Sequence, residues 1–120
     1  MGILLETQPV PQTGQLTISI RREVQINISA AEAQHRVTQF VHCKISSQMH
    51  GETPMLTLGE RTCWRVPIHL TFPSFGDVGC VGVIDVDVES GELRAGTAVI
   101  QEIERQAEDI ATRITPPPAR

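Results

Sequence analysis

A chain of 120 residues with 40% hydrophobic and 20% charged residues is long enough to bury a core of its own as a single domain, which disfavours disorder. Its net charge is −4, and its nine Arg and one Lys are scattered singly except at Arg21-Arg22; with one Trp and three Phe for stacking, nucleic acid is not an expected partner. No apolar run approaches the ~20 residues that span a bilayer, and the three cysteines (Cys43, Cys63, Cys80) show no C-x-x-C spacing, so neither a membrane partner nor a disulfide framework is expected.

Residues 1–14, with Pro9, Pro11 and Gly14, read as a flexible arm. The arm lacks the basic start and long apolar stretch of an export signal, and a cytoplasmic protein is the expectation. From Leu16 to Ile28 apolar residues share one parity and polar residues the other, interrupted by Arg22, which predicts a long first strand that bends or pairs with a second molecule. Ser29-Ala30-Ala31-Glu32 has the form of a capping box. The helix it opens is expected to run to about Met49, with Ala33, Val37, Phe40, Val41 and Ile45 on its apolar stripe and Gly51 as its stop. Pro54 to Leu58 suits a short edge strand.

Arg61 to Phe72 and Val78 to Glu89 alternate with apolar residues on even numbers, and Pro73-Ser74-Phe75-Gly76-Asp77 joins them. A hairpin about Phe75 sets Phe72 by Val78, Leu70 by Cys80, Val66 by Ile84 and Trp64 by Val86, with Arg65 opposite Asp85 and Arg61 opposite Glu89. Ser90-Gly91 then turns the chain so that Val88 faces Leu93 and Asp87 faces Arg94 in a short further strand. Thr97 caps a second helix, striped by Val99, Ile100, Ile103, Ala107, Ile110, Ala111 and Ile114, which Pro116-Pro117-Pro118 terminates ahead of a proline-rich tail, 116–120. The expected fold is α+β within residues 15–115. A mainly antiparallel four- to five-stranded sheet carries two helices packed on one face, in the order β-α-β-β-β-β-α.

The chain carries no assembled catalytic set. His35 and His42 lie ~10.5 Å apart along one helix and off its apolar stripe, too far apart for one metal ion, so they read as surface residues. Cys63 and His69 sit ~20 Å apart on one strand, which rules out their acting as nucleophile and base. No Walker loop, G-x-S-x-G or H-E-x-x-H occurs, and no cofactor is expected. On the wet face of the hairpin, Asp85 and Asp87 are alternate residues near His69 and Arg65. They suit either a cation site with His69 or, more simply, cross-strand pairing with arginine. Pro67, Val81 and Val83 would form an apolar island on that otherwise polar face, and Phe75 would cap the loop; a surface of this kind either marks contact with another chain or is covered by the N-terminal arm, with Ile3, Leu4 and Leu5, or by the opening strand.

Trp64-Arg65-Val66-Pro67-Ile68, followed by Val83-Ile84-Asp85-Val86-Asp87-Val88-Glu89-Ser90-Gly91-Glu92-Leu93, resembles the hairpin of PepSY-type domains, which end in an Asp-to-Gly-Glu turn. The resemblance covers about thirty residues and implies a small α+β module that binds or restrains a partner protein outside the cytoplasm. The chain as a whole also resembles small bacterial α+β domains. The long first strand and the terminal helix depart from the PepSY pattern. The functional expectation is a non-catalytic binding or assembly module that acts through a sheet face or edge as a homodimer, with Pro67, Val81, Val83, Phe75 and Arg65 as contact residues. The alternatives are a small metal-binding protein or enzyme using Asp85, Asp87 and His69, and an adaptor or antitoxin-like partner of another protein.

Overall fold

The computed structural model describes residues 13–15, 17, 19 and 21–114. In chain order the elements are α1 (Ala30–Lys44), β1 (Met49–Gly51), β2 (Met55–Leu58), β3 (Thr62–Phe72), β4 (Gly76–Asp87), β5 (Leu93–Arg94) and α2 (Thr97–Ile114). The five strands form one antiparallel sheet in the order β1-β3-β4-β5, with β2 also paired to β3. Since β4 occupies one side of β3, β1 and β2 share the other, β1 beside Ile68–Leu70 and β2 beside Thr62–Arg65. The fold is α+β, as the sequence pattern implies.

The expected first strand is not formed among the described residues. Residues 21–28 carry no strand, and their link to the sheet is at their end, where the amides of Asn27 and Ile28 both donate to the Val88 carbonyl. The observed order therefore begins with α1. Alternation identifies a segment able to be a strand but does not name its partner, and beside β4 the place at Asp85 and Val86 is taken by β5. Leu16, Ile18 and Ile20, the arm through residue 12 and the proline tail lie outside the described residues.

Ser29 caps α1 by accepting a hydrogen bond from the Glu32 amide at 3.1 Å, half of the expected box. The Glu32 carboxylate turns instead to Arg36, 2.7 Å away, and Arg36 also donates to the Gly91 carbonyl, tying α1 to the turn after β4. The helix ends at Lys44, five residues short of Met49. Ile45, Ser46 and Ser47 are weak helix formers, and the chain beyond them finds β3: the Thr71 amide donates to the Gln48 carbonyl and Met49 pairs with Leu70. Gly51 is thus a strand residue, not a helix stop. It is buried so closely under α1 that a Cβ there would stand 2.8 Å from Val66 Cγ1 and 3.2 Å from Thr38 Oγ1.

α1 lies over β1 and β3 and α2 over β4, so the helices flank the central hairpin. They feed one core in which Ala33, Val37 and Val41 of α1 and Ile103 and Ile110 of α2 meet Val66, Ile68, Leu70, Ile84 and Val86. The approach of α2 depends on Gly82, where a Cβ would fall 2.7 Å from Ile103 Cγ1. Full burial of an aliphatic side chain contributes ~1.5–3 kcal/mol, so this shared layer dominates stability. Trp64, beside it, donates its indole N–H to the Ile28 carbonyl at 2.7 Å and fixes the chain entering α1.

The hairpin keeps the expected register over half its length. Trp64 faces Val86, Val66 faces Ile84 and Arg65 faces Asp85. Beyond Ile68 two register shifts intervene, so that His69 faces Cys80, Leu70 faces Gly79 and Phe72 faces Gly76. Each shift leaves one β4 residue without an opposite number, Val81 and then Val78, as in β-bulges. The pairing after β4 is also offset from the expected one: Leu93 faces Val86 and Arg94 faces Asp85. The turn is longer because Asp87 is part of it, accepting hydrogen bonds from the Glu89 and Ser90 amides at 2.8 and 3.0 Å. Gly91 closes the turn at φ 78°, a left-handed conformation that favours glycine.

Candidate functional site

The contact residues expected on the outer face divide. Pro67 and Val83 are paired directly across β3 and β4, and Val83 is 41% exposed. Val81 is 1% exposed and belongs to the core, so the three-residue island is corrected to two; the bulge at Val81 turns its side chain inward. The same shift corrects Cys80, placed by parity in the core and found exposed. Phe75 is 58% exposed at the hairpin tip. Arg65 grips Asp85 with two hydrogen bonds, Nε to Oδ1 at 2.9 Å and Nη2 to Oδ2 at 3.1 Å, the simpler of the two readings of this face.

Asp85, Asp87 and His69 do not converge. Asp85 is engaged by Arg65, while Asp87 caps the turn and faces Arg61 at 3.4 Å. Hydrogen bonds from the Ser90 amide, then the Glu89 amide, then Arg61 hold the Asp87 carboxyl below the ordinary aspartate range. His69 lies at the other end of the hairpin, with Nδ1 2.8 Å from Asp77 Oδ2. Cys63, whose odd number would place it on the wet face of the hairpin, is 5% exposed; burial, then the negative charge of Asp85, pushes its thiol pKa up, which opposes nucleophilic use. His35 and His42 are exposed on α1, as surface residues should be.

Two further features emerge, one that sequence reading did not single out and one, the short edge strand expected at Pro54 to Leu58, that it did. The first is a polar cluster where β1, β3 and β4 meet. Cross-strand pairing sets His50 beside His69, ring centroids 6.2 Å apart, and His50 Nε2 lies 2.5 Å from Glu52 Oε2. Donor atoms of His50, Glu52 and Asp77 all lie within 4.8 Å of one another. The available signal was His50-Gly51-Glu52, alternate residues that share a face once the segment is extended; reading it as the end of a helix concealed it. Asp77 joins only because the bulges shift β4 toward His69.

The second feature is β2. Among the described residues it pairs with β3 alone, and Met55, Leu56 and Leu58 are 58%, 46% and 56% exposed. Its outward backbone edge is therefore flanked by apolar side chains on both faces. Among the described residues, no helix is long and apolar enough to cross a membrane.

No family model, curated protein or solved structure matches the chain.

Proposed function

We propose that the protein is a non-catalytic assembly module of the cytoplasm that pairs with a second copy of itself along the edge of β2. The observation that carries this reading is the exposure of Met55, Leu56 and Leu58 on a strand with one neighbour among the described residues. Soluble proteins guard such edges with lysine, inward charge or a covering loop, since unpaired amides and carbonyls recruit another strand. Among the described residues β2 has no such guard. From Thr53 to Gly59 the chain carries no charge, so within that stretch two copies laid antiparallel bring no like charges opposite one another. Leu56 lies opposite Trp64 and Leu58 opposite Thr62, so a second β2 would continue the apolar row that runs out from the core. The PepSY-like hairpin ending points in the same direction, toward a module that works by protein contact.

Light scattering across a dilution series tests this. The wild type is expected at dimer mass, dissociating on dilution, and Leu58→Lys, a change at a site already 56% exposed, is expected to be monomeric throughout. Val83→Glu is expected to keep the dimer. A wild-type monomer at every concentration overturns the reading, and a dimer broken by Val83→Glu but not by Leu58→Lys moves the contact to the outer face.

A further inference from the structure

We propose that His50, Glu52 and Asp77 form a binding site for a divalent transition-metal ion, zinc foremost, with His69 as the residue that positions Asp77. The site is separate from the β2 edge, and neither proposal depends on the other.

The backbone beneath it is held firmly. Gly51, between the two β1-side ligands, receives a hydrogen bond from Gln34 Nε2 on its carbonyl at 3.0 Å and donates its amide to Thr38 Oγ1 at 2.9 Å. The Glu52 amide donates to the Pro67 carbonyl at 2.8 Å. With Gly51 pinned toward α1, the pleat turns His50 and Glu52 together to the other face. Asp77 arrives from β4 and is itself oriented: Oδ1 accepts from the Gly79 amide at 2.9 Å, and His69 Nδ1 bridges both carboxylate oxygens at 2.8 and 3.1 Å. A ligating carboxylate steadied by a second hydrogen-bonding group is a recurrent arrangement around bound metals.

The donor set and the spacing both fit zinc. One imidazole nitrogen and two carboxylate oxygens make a three-ligand site with a fourth position left for water, of the kind that open zinc sites use. Bond lengths of ~2.0–2.2 Å put the donors of a tetrahedral site roughly 3.4 Å apart. The three donors here fall within 4.8 Å of one another, so modest side-chain rotation suffices. The close His50 and Glu52 pair must open by about an ångström to admit the ion. Both side chains are free to do so, being 34% and 42% exposed, and Glu52 follows the last residue of β1. Magnesium and calcium, which want six or more oxygens, fit this set poorly.

Titration calorimetry of zinc chloride into the full chain, stripped of metal with chelator, tests the site. One zinc per chain is expected to bind, with no heat from magnesium at the same concentration. Asp77→Ala and His50→Ala are each expected to weaken zinc about tenfold or more, and His69→Ala, acting through Asp77, by a smaller factor. Asp85→Ala, at the other end of the hairpin, is expected to leave binding unchanged, and circular dichroism of each variant confirms the fold. Cobalt substitution gives an independent readout, since this site predicts a visible spectrum without a sulfur-to-metal charge-transfer band. Absence of zinc binding overturns the proposal. So does binding that survives in the His50→Ala/Asp77→Ala double variant, or a thiolate band, which would place the metal on a cysteine instead.

Discussion

The two halves of the central hairpin contrast sharply. From Cys63 to Ile68 the pairing with β4 is regular, charges match across the strands, and apolar residues alternate inward. From His69 to Phe72 two bulges shift the partner strand, the paired positions on β4 include Gly76 and Gly79, and a polar cluster collects on the surface. The regular half builds core and solubility. The irregular half gives up pairing regularity and in return directs Asp77 to His69, a displacement that strict alternation would not produce.

The largest test of that contrast is a pair of charge substitutions two residues apart. Val81→Asp is expected to destabilise by more than about 4 kcal/mol or prevent folding, because it places an unpaired carboxylate in the core, whereas Val83→Asp, at a 41% exposed position, is expected to cost less than about 1 kcal/mol. Urea denaturation of both variants decides the matter. Equal tolerance would mean that Val81 faces outward and that the bulge is absent.

An intermediate effect lies at the end of the regular half, in the turn held by Asp87. Its folded carboxyl pKa is depressed below the unfolded value of about 4, so the stability it contributes is fully present above that pH and is lost as pH falls through the folded pKa. Asp77, depressed first by the His69 hydrogen bond and then by the Gly79 amide, adds to the same acid sensitivity. Asp87→Asn can still accept the turn amides but has no charge to lose. Its stability is expected to be lower at pH 7, by roughly 1–2 kcal/mol, and to decline less steeply than the wild type's between about pH 5 and pH 2. Parallel acid profiles would remove the turn carboxylate from the account.

The smallest effect is expected at the cross-strand ion pair of the hairpin. Arg65→Ala breaks a two-pronged contact with Asp85, yet the arginine side chain is 44% exposed, so solvent screening leaves a loss of about 1 kcal/mol or less that shrinks in salt. A larger, salt-independent loss would mean that the arginine stem packs the sheet as well as pairing across it.

Much of the fold was legible because it follows from period. The stripe containing Ile103 and Ile110 predicted α2, whose first residue is Thr97, the residue expected as its cap, and parity predicted the Trp64 and Val86 and the Val66 and Ile84 neighbours. Where the sequence misled, the signal was real but its context was missing. The Leu16 to Ile28 alternation forms no strand across its described part, because alternation names no partner for it, and Gly51 reads as a stop only if the helix reaches it. The inward turn of Val81 follows from a bulge, which adds a residue without altering the polarity pattern around it, so reading by parity cannot detect it. The candidate site depended on those same unreadable details. It draws on β1, which was mistaken for helix, and on the bulged half of β4, so Asp85, Asp87 and His69 were grouped while His50 and Glu52 went unremarked.

The hydrogen bond from the Trp64 indole to the Ile28 carbonyl has a practical use. As the sole tryptophan, Trp64 makes the protein's intrinsic fluorescence report on one seam, where the chain enters α1 against the sheet. Emission that shifts before the far-ultraviolet signal changes would show this seam loosening ahead of the core, and so separate local fraying from global unfolding in a label-free measurement.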